Sequence, residues 1–308
     1  MFIPTLVEQF CADAEYLKGY SKTTTTRYRS NLRLFVRLTN TTDLALVTPE
    51  VVRSFFFRGR SELHWSSATF TTYLKSLKVF FRWCAGAGLL SHNPTDGIQR
   101  PSLEKKLPPR LTRDEALRLL ELIDNYPWTD PFLRRRNHAL FSTFIFAGLR
   151  KQELLHLRYT DVNIENQTLF VHQGKGRKDR YVPVAGPLAA SLAAYHEERL
   201  RLRKTCPEFF ASLTHNGPLS DTGLRNLIAL IVQAFGKKFS AHKLRHTFAT
   251  LMLEGGCDIY ALSNMMGHSD IKTTALYLAA TPEHLRGQMQ KHPLHYRGSD
   301  IPQHNSIY

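Results

Sequence analysis

The sequence has little cysteine, no long apolar run and no leader-like N-terminus. Its four cysteines lie far apart and form no C-x-x-C pair, which argues against a zinc site or a disulfide framework and favours a reducing cytoplasm. No apolar run approaches the ~20 residues that a membrane-spanning helix needs. The first residues also lack a charged segment followed by an apolar one. We therefore expect a cytoplasmic protein with no membrane partner.

Acidic residues are scarce relative to basic ones. The 308 residues include 41 Lys and Arg against 26 Asp and Glu, which gives a formal net charge of +15. The first hundred residues and the remainder both carry this excess, as expected if both face one polyanion. Counterion release from DNA or RNA would drive such binding. Charge alone fits a merely basic soluble protein equally well, so the motifs must decide.

Helical periodicity dominates the first 90 residues. Leu6 and Phe10 begin one apolar stripe, and apolar residues recur at helical spacing in 22–37 and 67–84. Thr48, followed by proline and glutamate, supplies a cap, a preset backbone angle and an acid at the positive end of a helix dipole. The pattern predicts a compact bundle of four helices.

Prolines mark the boundary between two predicted domains. Residues 93–109 contain four prolines with basic residues between them, which is typical of an extended linker. We therefore predict a helical domain over residues 1–92, a second domain over residues 110–292, and a polar C-terminal tail over residues 293–308.

The second domain combines helices with a small sheet. Thr112 and Glu115 form a capping box at its start. Short β-type segments alternate with turns over residues 162–184, which predicts a small antiparallel sheet. Helices are predicted over residues 113–124, 135–147, 187–204, 221–235, 242–254, 258–266 and 271–280. The fold class is thus mainly α with a small antiparallel β-sheet.

Two separated arginines are candidate phosphate ligands. A guanidinium matches two non-bridging phosphate oxygens and stays charged, so Arg150 and Arg245 could hold a phosphodiester. Arg150 alone is read more simply as a surface residue at a helix start. His242 stands three residues before Arg245 and shares its helix face. We interpret both as directed at a phosphate, and His246 and Phe248 as facing the core.

The histidine pair on this helix raises the possibility of a metal site. His242 and His246 have the i, i+4 spacing of zinc peptidases, but Lys243 stands where that pattern requires glutamate. A lysine beside the cation would be unfavourable. We therefore expect neither a metal nor another cofactor.

A lysine, a histidine and a tyrosine complete the candidate set. Lys175 lies between glycines at a predicted hairpin tip, where it is either a solvated side chain or a proton donor to a leaving oxygen, with Lys178 as a competitor. Tyr277 follows His268 by nine residues. Either could be a core residue. A phenol with a pKa of about 10 needs help as a nucleophile, and nearby arginines would favour the phenolate.

Taken together, these residues resemble the tyrosine recombinase (phage integrase) family over about residues 5–290, and simple Xer-like or mobile-element recombinases most of all. One motif alone would be weak, but five in the family's order and spacing are very specific. They are Gly148-Leu149-Arg150 with Glu153, Gly174-Lys175-Gly176, the run from His242 to Thr250, Gly267-His268-Ser269, and Tyr277.

The resemblance implies a SAM-like four-helix core-binding domain, an α+β catalytic domain and site-specific DNA recombination for integration, excision or resolution. Tyr277 would form a 3′-phosphotyrosyl link without ATP or a metal, while Arg150 and Arg245 hold the non-bridging oxygens. The remaining roles are phosphate hydrogen bonding by His242 and His268, and protonation of the leaving 5′-oxygen by Lys175.

The resemblance also implies partners. These are double-stranded DNA with paired inverted core sites, and a homotetramer on two duplexes or a hetero-tetramer with a second recombinase. Segment 283–291 would dock on a neighbouring protomer. Candidate DNA-reading residues are Thr24, Arg27, Lys75 and Lys78. The alternatives are a DNA-binding protein of this fold without strand exchange and a type IB topoisomerase-like nicking and sealing enzyme.

Overall fold

The computed structural model describes residues 1–102, 109–172 and 179–267, together with positions 271, 274, 275 and 277. The chain divides into two compact units, Met1–Lys105 and Lys106–Tyr308. Within the described part, every helix is too short or too polar to cross a bilayer. The division falls inside the predicted linker, residues 93–109. The exact domain boundaries at residues 92 and 110 remain predictions.

The first unit is helical. Residues 1–102 contain α1 (Ile3–Ala12), α2 (Lys22–Thr39), α3 (Pro49–Ser61) and α4 (Ser67–Gly86), with a π-helical turn after α1 and a 3-10 turn before α3. Ser21, Thr48 and Ser66 cap the last three helices, because each side chain accepts a backbone N–H from the first turn. The four predicted helices are confirmed.

Aromatic rings fill the core of the first unit. Phe35, Phe55 and Phe81 are fully buried, and the Phe35 ring meets the other two edge to face at 5.2 and 5.7 Å between centroids. Asn31 on α2 donates to the Ser76 hydroxyl on α4 at 2.8 Å. These buried contacts fix α2 and α4 relative to each other.

The second unit surrounds its central helix, α6, with helices and one small sheet. Its elements are α5 (Arg113–Asn125), α6 (Pro131–Ala147), α7 (Lys151–Leu155), β1 (Val162–Asn163), β2 (Thr168–Val171), β3 (Arg180–Pro183), α8 (Gly186–Arg201), α9 (Asp221–Phe235), α10 (Ala241–Glu254) and α11 (Ile259–Met266). The strands pair antiparallel in the order β1-β2-β3. The predicted fold class is confirmed.

Helices α6 and α7 depart from the prediction. Helix α6 begins at Pro131 because Asp130 caps it and proline fits the first turn. The short helix α7 was not predicted as a separate element. The predicted helix over 271–280 lies mostly outside the described residues.

The turn between α6 and α7 places the first candidate arginine. Gly148 ends α6 with φ +61°, a backbone conformation that favours glycine. A Cβ at Gly148 would also collide with the Phe248 ring. Leu149 is then buried, and Arg150 becomes the N-cap residue of α7. The site is therefore built directly on the core.

Candidate active site

Arg150 is oriented by an acidic residue one turn along α7. Glu153 accepts a hydrogen bond from the backbone N–H of Arg150 at 2.8 Å and one from its Nη1 at 2.5 Å. The Arg150 side chain is about one-quarter exposed, so it is held at the rim of the unit and still reaches solvent. The pairing of Arg150 with Glu153 is thus a fixed contact of the site.

Arg245 is buried on the first turns of α10, which Ser240 caps. Its Nη1 donates to the Gly148 carbonyl and its Nη2 to the Met266 carbonyl, both at 2.7 Å. Burial, reinforced by the neighbouring Arg150 charge, lowers the pKa of Arg245 to about 10. Since this value is well above neutral pH, Arg245 remains a cation.

A third arginine, which the sequence analysis missed, completes the cluster. Arg180 on β3 is buried and bonds both carboxylate oxygens of Glu153 at 3.1 and 2.9 Å. Burial alone would raise the pKa of Glu153, but the hydrogen bond and charge of Arg180 and the hydrogen bonds from Arg150 outweigh it and set that pKa to about 2. One carboxylate therefore sits among three guanidiniums.

The three guanidiniums also bind the end of α11. Its last carbonyls have no partner within the helix and carry the negative end of the helix dipole. Arg180 Nε donates to Met265 at 2.6 Å, Arg245 Nη2 to Met266 at 2.7 Å, and Arg150 Nη2 to Gly267 at 2.8 Å. These bonds fix where the chain leaves α11 toward Tyr277.

Tyr277 lies against His246 of α10. Its hydroxyl is 2.6 Å from His246 Nδ1, and the side chain is only 3% exposed. Burial raises the pKa of Tyr277, while the positive charges of Arg245 and Arg150 lower it by less. The expected assistance from the arginines is present, but burial dominates.

The two histidines of α10 lie close together. The His242 and His246 ring centroids are 4.1 Å apart. Burial and then the charges of Arg245 and Arg150 lower the pKa of His242. The assignment of His246 to the core was wrong: its ring is half-buried and contacts the phenol, because the segment that covers this face of α10 carries Tyr277. Phe248 is buried as expected.

The structure therefore brings together Arg150, His242, Arg245 and Tyr277. Lys175 and His268 lie outside the described residues, as do Lys178 and segment 283–291. Among the described residues, His, Cys, Asp and Glu side chains form no group of three or more that could hold a metal ion.

The candidate DNA-reading residues lie in the first unit. Arg27, Lys75 and Lys78 line one groove between α2 and α4, and Arg82 and Arg100 extend its basic lining. Thr24 is not among the lining residues of that groove. It sits in the first turn of α2, where its backbone N–H and its hydroxyl both contact the Ser21 cap.

Comparisons with known proteins agree on one family. The model of the phage integrase family matches residues 109–284, and that of the phage integrase N-terminal SAM-like domain matches residues 6–89. Tyrosine recombinase XerC of Oceanobacillus iheyensis is 31% identical over 95% of this chain and 96% of its own length. Tyrosine recombinase XerA of Thermococcus kodakarensis is 31% identical over 81% and 91%.

Solved structures share the fold. A XerH site-specific recombinase bound to palindromic difH substrate in a post-cleavage complex matches with a TM-score of 0.74 and 22% identity, covering 93% of this chain and 84% of that one. The Tn1549 transposon integrase with a circular intermediate DNA matches with a TM-score of 0.72 and 20% identity, covering 93% and 99%.

Proposed function

This chain belongs to the phage integrase family of tyrosine recombinases, and on that premise we propose that it is a site-specific DNA recombinase with Tyr277 as its nucleophile. The observation that carries the proposal is the convergence of the Tyr277 phenol with His242, Arg150 and Arg245. These residues come from separate segments, yet the charges of both arginines act on the phenol and on His242.

The proposed first step cuts one DNA strand. The Tyr277 oxygen forms a bond to phosphorus, the bond from phosphorus to the 5′-oxygen breaks, and a 3′-phosphotyrosyl link remains. Arg150 and Arg245 hold the non-bridging oxygens and stabilise the charge that builds on them. His242 and His268 hydrogen-bond the phosphate, and Lys175 gives a proton to the leaving oxygen.

Rejoining reverses these steps. A 5′-hydroxyl from the partner strand attacks the phosphotyrosine, and the phenol leaves. The energy of the broken phosphodiester is retained in the covalent link, so the cycle requires neither ATP nor a metal. Recombination follows when the attacking hydroxyl belongs to the other duplex. Depending on how the sites are arranged, the outcome is integration, excision or resolution.

The first unit supplies the proposed DNA surface. The groove with Arg27, Lys75 and Lys78 presents cations to the phosphate backbone, and binding releases counterions. Thr24, at the N-terminal end of α2, is the proposed contact for base reading. Action on DNA supports the proposal that the protein is cytoplasmic.

The proposed assembly contains four protomers on two duplexes with paired inverted core sites. Solved relatives support the pairing, since one is a XerH recombinase on a palindromic substrate and another is a lambda integrase dimer bound to a core site. The four protomers are copies of this chain, or include a second recombinase. Segment 283–291 is the proposed element that docks on a neighbouring protomer.

Covalent trapping tests the proposed chemistry. A core site is first recovered by selecting random duplexes with the Tyr277→Phe protein, and a nick near its cleavage position makes a suicide substrate. We expect the unaltered protein to become covalently linked to this DNA. Tyr277→Phe removes only the hydroxyl, so trapping should fall by at least about 10³-fold while DNA binding is retained.

Tyr260→Phe is the matched control, because Tyr260 lies on α11 with 68% of its surface exposed. We expect this variant to be trapped as efficiently as the unaltered protein. A persistent adduct in Tyr277→Phe would assign the nucleophile elsewhere. Binding without trapping by the unaltered protein would indicate a binding protein. Relaxation of a supercoiled plasmid without strand exchange between two sites would indicate a topoisomerase-like enzyme.

A further inference from the structure

His246 contacts the atom that the proposed reaction uses. Its Nδ1 lies 2.6 Å from the Tyr277 hydroxyl oxygen, a short hydrogen-bond distance, and the phenol is almost fully buried. The two rings are 5.4 Å apart between centroids. The functional roles inferred above leave His246 unused.

The position of His246 on α10 directs it to the phenol. It follows Arg245 by one residue, and consecutive helical side chains point in different directions. Arg245 therefore reaches the end of α11 while His246 faces Tyr277. His242, one turn earlier, packs its ring against the His246 ring. This edge-to-face contact and the hydrogen bond fix the imidazole on two sides.

His246 is in the neutral form that can accept a proton. Among the described residues, the titratable or charged groups that face it are His242 and Arg245 from α10 and Tyr277 from the covering segment. Burial, then His242 and Arg245, lower the pKa of His246 to about 4. The ring is therefore unprotonated at neutral pH. With the ring proton on the other nitrogen, Nδ1 accepts a hydrogen bond from the phenol.

The buried surroundings of Tyr277 make a nearby base necessary for removing the phenol proton. Burial raises the pKa of Tyr277 above the ordinary value, so the phenolate is rare at neutral pH. Transfer of the proton during the attack avoids forming a free phenolate beforehand. His246 is within direct hydrogen-bonding reach of the proton that must leave.

We propose that His246 is a catalytic residue that accepts the Tyr277 proton as the phenol oxygen attacks phosphorus. The proposal rests on Tyr277 being the nucleophile. The bond from Oη to phosphorus forms, the bond from phosphorus to the 5′-oxygen breaks, and the phenol proton moves to Nδ1. The leaving oxygen takes its proton from Lys175. In rejoining, the imidazolium returns the proton to the departing phenol oxygen.

The pH dependence of single-turnover cleavage tests this role. His246→Asn places an amide oxygen near the position of Nδ1, so it keeps an acceptor for the phenol but cannot carry a proton away. We expect the unaltered protein to form its covalent adduct at a nearly constant rate between about pH 5 and about pH 9, below the range in which an ordinary lysine such as the proposed acid Lys175 loses its proton. We expect His246→Asn to be slower at neutral pH by about 10²- to 10⁴-fold. Its rate should rise about tenfold per pH unit as hydroxide replaces the base.

His138→Asn is the matched control. His138 on α6 is also half-buried, its pKa is also lowered by burial, and its Nδ1 contacts the Ser191 hydroxyl at 3.1 Å. We expect its cleavage rate and pH profile to equal those of the unaltered protein. Thermal unfolding of both variants establishes that the fold is retained.

A second measurement uses the nucleophile itself. A fluorotyrosine at position 277 has a lower phenol pKa and therefore depends less on a base. We expect it to restore cleavage by His246→Asn much more than it accelerates the unaltered protein. The fluorotyrosine changes mainly the proton affinity of the phenol. If His246 had a purely structural role, this change would not restore cleavage.

Each other outcome has a definite meaning. An unchanged or faster rate in His246→Asn would overturn the proposal and make the contact a resting position of the phenol. A uniform slowing with the same pH profile and no fluorotyrosine rescue would also overturn it, leaving His246 as a positioning residue. If the unaltered protein itself forms no adduct, the proposed function fails instead.

Discussion

The basic groove of the first unit and the arginine cluster of the second unit hold their positive charge in opposite ways. In the first unit, Arg27, Lys75 and Arg82 are exposed around a groove. In the second unit, Arg180 and Arg245 are buried and bonded to Glu153 or to backbone carbonyls. Hydrated cations attract a polyanion from a distance, and each contributes a similar small amount. Buried, fixed cations instead stabilise charge at one position.

The buried arrangement depends on its pairing. Taking a guanidinium out of water is costly unless its donors find acceptors. Here the acceptors are one carboxylate and the last carbonyls of α11 and α6. The cluster therefore couples α6, β3, α10 and α11. Glu153 is the only carboxylate among these contacts, so its loss should destabilise all four elements. Among the described residues, the lining of the exposed groove includes no acid, and its Lys78 makes only a surface pair with Asp96 at 3.5 Å.

Glu153→Gln should have the largest effect on stability. The change keeps the shape of the side chain but leaves Arg180 without its counter-ion in a buried site. We expect a loss of about 3–5 kcal/mol in the free energy of unfolding, the usual cost of breaking a buried ion pair. Urea denaturation of the full chain measures this loss.

Asp124→Asn provides the control in the same unit. Asp124 bonds Arg134 with both oxygens, but the arginine and aspartate side chains are 42% and 33% exposed. We expect a loss of about 0–1 kcal/mol, as for other surface ion pairs. Equal losses in the two variants would contradict the contrast between buried and exposed charge.

Acid unfolding sharpens the same comparison. The pKa of Glu153 is about 2 in the folded chain, below its unfolded value of about 4.5. Its stabilisation is therefore complete above the unfolded pKa and is lost as pH falls toward the folded pKa. Glu153→Gln lacks this contribution, so its stability should fall less steeply than that of the unaltered protein between these two values.

Local sequence signals predict some parts of this molecule better than others. The caps Ser21, Thr48 and Thr112 set their helix starts through contacts within one turn, which the sequence displays directly. His246 was misassigned because helical periodicity gives the face of α10 but not the segment that covers it. Its partner Tyr277 lies 31 residues downstream.

Arg180 was also missed because its partner is distant in the sequence. A basic residue beside a hairpin is usually solvated, and its partner Glu153 is 27 residues upstream. The one available signal was strand alternation: Arg180 and Val182 point to the same, buried side of β3, while Tyr181 points outward. An arginine on the inner face of a strand requires a partner.

The basic groove should show an intermediate, salt-dependent effect. Replacing Arg27, Lys75, Lys78 and Arg82 together by glutamine removes four cations from one surface. If each contacts a phosphate, the slope of log binding constant against log salt should decrease in magnitude by about 3 to 4. Fluorescence anisotropy over a salt series measures the slope. At saturating DNA, covalent trapping should remain within a few-fold of normal, because the residues proposed to act on the phosphate lie in the second unit.

A loss of trapping that saturating DNA does not restore would contradict this division of roles. It would mean that the groove acts on the chemical step as well as on affinity. An unchanged salt slope would remove the groove from the proposed DNA surface.

Single charge changes should give the smallest effect and the finest test. Lys75→Gln removes one exposed cation from the groove, and we expect the salt slope to decrease in magnitude by about 0.9. Arg29→Gln is the control on the same unit, because Arg29 donates to Glu8 at 2.7 Å and lines no part of that groove. We expect Arg29→Gln to leave the slope unchanged, since Glu8 already neutralises that charge locally. If the two variants reduce the slope equally, DNA senses the overall charge of the first unit and the groove is not a contact surface. If only Lys75→Gln reduces the salt slope, DNA contacts the groove itself, even though each exposed cation there contributes little.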